Sequence, residues 1–168
     1  MPGLIFVTGG ARAGKSTFAQ QQAQALGGEE VSFIATAQGL DAEMRERIAR
    51  HRQERPAQWE TLEEPLQVPA ALHRARYRVV LLDCLTLWVA NLMQAQQEVL
   101  PRVEGLLAAW AETDKTLVVV SNEVGMGIVP ENALARAYRD QLGAVNRRVA
   151  EAAEAVYLLV AGIPLKLR

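Results

Sequence analysis

The sequence predicts a three-layer α/β sandwich around a mostly parallel sheet. Three observations carry this. Five short, β-rich apolar runs lack polar alternation, as strands buried on both faces do. Helical segments separate them, so right-handed strand–helix–strand crossovers and a parallel sheet follow. The first run leads directly into a glycine-rich turn and a helix, which gives the fold a phosphate-sized concavity at one strand end.

The first strand is Leu4-Ile5-Phe6-Val7-Thr8. After it, Gly9-Gly10-Ala11-Arg12-Ala13-Gly14-Lys15-Ser16 fits G-x-x-x-x-G-K-[ST], the phosphate-binding loop. Residues 17–26, rich in Ala and Gln, continue as a helix. Glycines let the backbone curl so that its N–H groups converge on phosphate oxygens, and the helix N-terminus adds partial positive charge there. Lys15 is placed to reach the β- and γ-phosphates, and the Ser16 hydroxyl to ligate Mg²⁺. The rival reading is a Gly-rich turn that only caps a helix.

Residues 31–35 form the second strand and 41–52 a helix. Residues 54–69, with three prolines, are the least regular stretch and are expected to loop over the site. The third strand, 79–82, ends at Asp83, the apolar-run-then-acid pattern of a Walker B carboxylate beside Mg²⁺. Asp83 also suits the N-cap of a helix over 85–97, since Asp is a favoured cap. A helix over 102–112 leads to the fourth strand, 117–120, followed by Ser121-Asn122-Glu123-Val124-Gly125-Met126-Gly127. That run reads either as a ligand-facing loop or as a plain glycine-containing turn. A helix over 131–154 and a fifth strand, 156–160, complete the alternation. The tail from Gly162 follows too closely for a crossover. It is expected to return antiparallel on a sheet edge, where Pro164 is tolerated.

Composition narrows the class. With 168 residues the chain is expected to form one domain (1–168) with a sizeable core. Half the residues are hydrophobic and 22% charged, and a formal net charge of −1 exerts no global pull on nucleic acid or membranes. Cys84 is the single cysteine, so a disulfide within the chain is excluded and a reducing, cytoplasmic setting is expected. Its apolar strand context makes it a buried thiol rather than a nucleophile. No apolar run is long enough to span a bilayer, and no signal-peptide pattern is present.

One helix is less ordinary. In 41–52, Met44, Ile48 and His51 recur at i, i+4 and i+7, with Arg45, Arg47, Arg50, Arg52 and Arg55 around them. The charge reads as a solvated face, and a lone His is often structural. The alternative is chemical: neighbouring positive charge favours a neutral, nucleophilic imidazole, and the arginines suit a bound triphosphate. His73 has no such setting and reads as a surface residue.

Together these segments resemble a known family. The phosphate-binding loop, Ile34-Ala35-Thr36, Asp41-Ala42-Glu43-Met44, His51-x-x-x-Arg55-Pro56-x-x-Trp59 and Leu82-Asp83-Cys84-Leu85-Thr86 look like the bifunctional adenosylcobinamide kinase/adenosylcobinamide-phosphate guanylyltransferases. Asn122-Glu123-Val124-Gly125-Met126-Gly127-Ile128-Val129-Pro130-Glu131 and the closing segment from Asn146-Arg147 to Gly162 extend the likeness almost end to end.

The resemblance implies a RecA-like P-loop NTPase fold and two reactions in assembly of the cobalamin nucleotide loop. ATP or GTP phosphorylates adenosylcobinamide; GTP then gives GMP to an enzyme histidine, which passes it to adenosylcobinamide phosphate. By the same resemblance His51 is the guanylylated residue, with Lys15 catalytic. Nucleotide contacts fall on Gly9, Gly10, Ala11, Arg12, Ala13, Gly14, Lys15, Ser16, Ala35, Thr36, Ala37, Arg52, Gln53, Glu54, Arg55, Glu63 and Asp83, with Mg²⁺ at Ser16 and Asp83. A homotrimer with sites near subunit boundaries is also implied. Three features depart from the family pattern: Ala13 stands where Ser is usual, Asp83 where Glu is frequent, and the segment 92–101 is shorter than in some relatives.

Overall fold

The computed structural model describes residues 3–168. Thirteen elements follow in the order β1 (Leu4–Gly9), α1 (Lys15–Gly27), β2 (Val31–Ala35), α2 (Ala42–Glu54), β3 (Glu60–Glu63), α3 (Val68–Arg74), β4 (Val79–Asp83), α4 (Leu85–Gln94), α5 (Val99–Ala111), β5 (Thr116–Asn122), α6 (Ala133–Ala152), β6 (Ala155–Val160) and β7 (Ile163–Lys166). The strands form one sheet in the order β3-β2-β4-β5-β1-β6-β7. Every pair is parallel except β6–β7, so the expected antiparallel return at the edge is present, with Pro164 opposite Leu159. This is the three-layer α/β arrangement the alternating runs predict.

Period-2 alternation divides the core. Leu4 and Phe6 of β1, Val80 and Leu82 of β4, and Leu117 and Val119 of β5 face α3–α6, where Trp88 is fully buried and its indole N–H donates to the Leu66 carbonyl at 2.9 Å. Val7, Leu81, Val118 and Val120 face the opposite way, toward Ala19 and Ala23 of α1 and toward Trp59. Small residues on α1 let that helix lie close to the sheet and bring its N-terminus down beside β1.

Several boundaries shift for local reasons. The helix expected over 41–52 begins at Ala42 because the Asp41 carboxylate accepts from the Met44 amide at 2.7 Å, a side-chain N-cap. Asn132 does the same for α6, accepting from Ala135 at 3.1 Å, so that helix starts at Ala133 rather than at residue 131. Between α4 and α5 the chain turns at Gln96 (φ 54°), and α5 starts at Val99 with Pro101 in its first turn, where the missing N–H is harmless.

The stretch 54–69 is the main correction. It is not an irregular lid: it holds β3, which pairs with β2 from Ser32↔Glu60 to Ala35↔Glu63, and the start of α3. Glu-Thr-Leu-Glu is a weak strand sequence taken alone. Pairing with β2, the Ser32 hydroxyl donating to Glu60 at 2.5 Å, and the buried Trp59 anchor it. Among the described residues no helix is long and apolar enough to cross a membrane.

Candidate active site

The carboxyl ends of β1, β2, β4 and β5 open on one side of the sheet, where ligands collect in open α/β folds. Residues 9–16 turn there between β1 and α1. Two glycines are obligatory in that turn. Gly9 has φ 154°, and a Cβ on it would stand 2.6 Å from the Leu159 carbonyl oxygen of β6. Gly14 has φ 95° and lies against Gly162, whose amide donates to the Ala13 carbonyl at 2.9 Å. The β6–β7 turn therefore braces the loop from behind.

Lys15 opens α1, is almost fully buried, and donates through Nζ to the Gly10 carbonyl. Burial lowers its pKa, and its electrostatic coupling to Cys84 and Asp83 opposes that shift. One residue on, the Ser16 hydroxyl donates to Asp83 Oδ2 at 3.3 Å. Burial raises the Asp83 pKa against the favourable field of His51, Ser16, Arg55 and Lys15. Asp83 does not cap α4: the cap position is Cys84, which makes no side-chain cap bond. The carboxyl looks into the site instead, reached by the loop serine.

Helix α2 roofs this cavity. None of its residues is buried, and Met44, Ile48 and His51 face the cleft, so the apolar stripe lines a site rather than a core. The His51 side chain is about half exposed (49%), with Nδ1 3.6 Å from Glu54 Oε2. Behind it, Arg55 is buried, with its guanidinium 3.9 Å above the Phe33 ring. It donates to the His51 carbonyl and to Thr61 Oγ1, each at 3.3 Å, and so ties the end of α2 to β2 and β3. Burial and the neighbouring Arg52 lower the Arg55 pKa, while Asp83 and Glu63 oppose that.

His51 stands between two clefts. The larger, about 600 Å³, is walled by the loop from Ala11 to Thr17, Phe33, Ala35, Ala37, Arg47, Arg50, Asp83, Thr86 and Asn122. The second, about 540 Å³, runs along the outer flank of α1 between Gln20, Gln21, Gln24 and Trp59. Ser16, Thr17, His51, Glu54 and Arg55 border both.

Not every expected contact lies on these walls. Gly9 and Gly10 shape the loop from behind. Thr36 is fully buried and acts as a fastener: its hydroxyl donates to the Cys84 carbonyl at 2.8 Å and accepts from the Cys84 amide at 3.0 Å. Arg52 pairs with Glu63 at 2.9 Å across the exposed junction of α2 and β3, and Gln53 is exposed beside it. Phe33, Thr86, Leu87 and the α1 glutamines escaped sequence reasoning. Only the Gln20-Gln21-x-x-Gln24 spacing on one helical flank carried a signal. His73 is exposed at the end of α3, as expected.

The described residues contain no cluster of three or more His, Cys, Asp or Glu side chains able to hold a metal. A divalent cation bound beside Ser16 and Asp83 would take its other ligands from phosphate and water. Ser16 and Asp83 fit that role, because Mg²⁺ ordinarily accepts one or two protein oxygens beside substrate phosphates.

The family described as cobinamide kinase / cobinamide phosphate guanyltransferase matches residues 5–167 of the chain. The chain belongs to this family. It is 45% identical over 166 residues to the bifunctional adenosylcobalamin biosynthesis protein CobP of Pseudomonas aeruginosa, covering 96% of this chain and 95% of that one. It is 42% identical over 184 residues to the bifunctional adenosylcobalamin biosynthesis protein CobU of Escherichia coli K12, covering 98% and 99%. Among solved structures, the flagellar accessory protein FlaH of Methanocaldococcus jannaschii superposes with a TM-score of 0.55 at 13% identity, over 99% of this chain and 78% of that one. A KaiC-like protein of Pyrococcus horikoshii gives 0.52 at 14% identity, over 93% and 70%. At such identities the two structures share the fold with this family member: a three-layer P-loop NTPase.

Proposed function

We propose that this chain is the bifunctional enzyme of adenosylcobalamin assembly that its family describes. It phosphorylates the hydroxyl of adenosylcobinamide with ATP or GTP, then transfers GMP from GTP to the resulting phosphate to give adenosylcobinamide-GDP. The observation that carries the reading is the position of His51. It borders the same cavity as Lys15, Ser16 and Asp83, so one bound triphosphate can face both the loop and an imidazole.

Phosphoryl and nucleotidyl transfer depend on positioning and charge neutralisation more than on acid–base groups. The loop amides and Lys15 hold the terminal phosphates, and Arg47, Arg50 and Arg55 offset the remaining charge. Ser16 and Asp83 would hold Mg²⁺, which when bound neutralises charge on the phosphate oxygens. Glu54, whose Oε2 lies 3.6 Å from Nδ1, is placed to orient the imidazole so that Nε2 is the atom that attacks the α-phosphorus. The Nε2–Pα bond forms as the bond from Pα to the β-phosphate oxygen breaks, and pyrophosphate departs. An oxygen of the cobinamide phosphate then attacks Pα, the P–N bond breaks, and free His51 is regenerated. A covalent carrier lets pyrophosphate leave before the bulky corrinoid phosphate enters. The remaining nucleotide contacts proposed are Ala35, Ala37, Arg52, Gln53 and Glu63.

Incubation with α-labelled GTP is expected to leave acid-labile label on the denatured protein, and His51→Ala to leave none. Equal labelling of the two proteins would remove His51 from the mechanism. Lys15→Ala is expected to lose both activities. The same reading includes a single-domain chain, a homotrimer with sites near its subunit boundaries and a cytoplasmic location; sedimentation equilibrium tests the trimer.

A further inference from the structure

Asn122 is the last residue of β5 and lines the cavity together with Lys15 and Asp83. Its strand lies between β4 and β1. In register, Asp83 is level with Val120 and Gly9 is level with Asn122. Alternation puts Asn122 on the face of Val120, toward the phosphate-binding loop, and one residue pair beyond Asp83. Ser121 points the other way and donates to Asn146 Oδ1 of α6 at 2.5 Å.

The fold invests several side chains in holding this residue. The Asn122 amide donates to Thr86 Oγ1 at 2.8 Å, and its carbonyl accepts from Asn146 Nδ2 at 2.9 Å. Thr86 is itself held, its carbonyl accepting from the Tyr138 hydroxyl at 2.9 Å. The next amide, of Glu123, donates to the Gly9 carbonyl at 2.8 Å, while the Glu123 carboxylate turns back onto the Gly125 amide. Backbone and neighbours are thus pinned from α4, α6 and β1. Among the described residues, the Asn122 side-chain amide makes no protein hydrogen bond of its own.

Sheet order gives that amide a direction. His51 and α2 lie over the β2 side, Asp83 follows on β4, then Asn122 on β5, then the loop strand β1. If the α-phosphorus of a triphosphate faces His51 while Lys15 and Ser16 hold its far end, the γ-phosphate falls away from α2, toward the β5–β1 side.

We infer that the Asn122 amide is a catalytic group of the phosphoryl-transfer reaction and not of histidine guanylylation; the inference rests on the two-reaction reading above. Nδ2 donates to an oxygen of the transferred phosphoryl group, and Oδ1 accepts from the acceptor hydroxyl, a pairing that a neutral amide provides from two separate atoms of one side chain. The hydroxyl oxygen bonds to Pγ, the bond from Pγ to the β-phosphate oxygen breaks, and nucleoside diphosphate leaves. The hydroxyl proton passes to an oxygen of the new phosphate ester.

The test compares Asn122→Ala with the parent in two assays on the full chain: γ-phosphate transfer to adenosylcobinamide, and single-turnover labelling of His51 by α-labelled GTP. Loss of one preorganised donor lowers turnover by about 100-fold. That loss is expected in kinase kcat, with less than about fivefold in the labelling rate. Thr86→Val, which removes the acceptor of the Asn122 backbone amide while leaving the Asn122 side chain in place, is expected to lower the same ratio by a smaller factor. If Asn122→Ala does not fold, Asn122→Asp replaces it, and kinase is again expected to fall selectively because the carboxylate repels the γ-phosphate. Parallel loss of both activities, or an unchanged ratio, overturns the role of Asn122 while leaving the two-reaction reading intact. Absence of either activity in the parent overturns that reading itself.

Discussion

Gly9→Ala offers a test of how the loop is supported, because its effect can be worked from geometry. The new Cβ would sit 2.6 Å from the Leu159 carbonyl oxygen and 3.3 Å from Leu159 Cβ, on a residue with φ 154°. The obstructing atom is backbone within β6, which pairs with β1 from Ile5 to Gly9, so no side-chain rotation relieves the contact. Overpacking of this kind costs about 1–3 kcal/mol, and a non-glycine residue in such a backbone region about 1–3 more. With each near the middle of its range, the expected loss is about 4 kcal/mol. For a chain of 168 residues that corresponds to a fall in Tm of about 8–16 °C. Gly10→Ala is the control: no heavy atom lies within 4 Å of its Cβ position, and its stability is expected to change by less than about 0.5 kcal/mol. Urea denaturation with thermal melting reads both variants. Because β1 feeds the loop used by either transfer, both activities of Gly9→Ala are expected to fall together. A Gly9→Ala midpoint within about 2 °C of the parent, about 1 kcal/mol or less, would refute the claim that β6 braces the loop.

Three further outcomes are expected. Asp83→Asn removes a carboxyl that burial holds above its ordinary range. A raised folded pKa gives stability that is complete below the unfolded value and lost as pH rises through the folded one. The variant should therefore exceed the parent in urea midpoint at pH 8 and lose that advantage in acid, while both transfer activities drop; a lower midpoint at pH 8 contradicts this. Trp88→Ala empties the centre of the α-helical face and leaves the Leu66 carbonyl without its indole donor, so it is expected to cost about 3–5 kcal/mol by urea denaturation. The Cys84 thiol is pushed up to about 11 by burial first and by Asp83 second. The half-buried thiol, which lines the cavity, therefore stays protonated at pH 8, and an aromatic disulfide reagent is expected to react with the folded protein more slowly than with the unfolded chain; equal rates would contradict the raised pKa.

Much of the architecture is legible in the chain because strong signals are local. The strands β2 and β4 read directly as Val-Ser-Phe-Ile-Ala and Val-Val-Leu-Leu, since strands covered on both faces are continuously apolar. The loop motif stands on its own because glycine and lysine requirements are set within eight residues. Asp41 and Asn132 carry their capping in the same way. By contrast β3 was hidden: its four residues become a strand only because β2 presents an unpaired edge to them, and nothing within 54–69 encodes that edge. His51 was marked by its arginines, yet neighbours in sequence could not say whether the stripe it ends faces a core or a cleft. Thr36 shows the same limit, standing in a motif of the site while its hydroxyl is spent on Cys84.

By itself the sequence determined the fold class, the phosphate-binding loop, the identity of the acid ending β4 and the candidate nucleophile. The first three rest on alternation, periodicity or spacing; His51 as the nucleophile is what the family resemblance implies. Only the tertiary structure decided which of these groups meet. Ser16 reaches Asp83 across 67 positions in the chain, α2 turns its apolar stripe over the loop, and Asn122 stands between Asp83 and the loop strand. Those meetings depend on strand order and register, which arise from long-range pairing and packing that no local pattern contains.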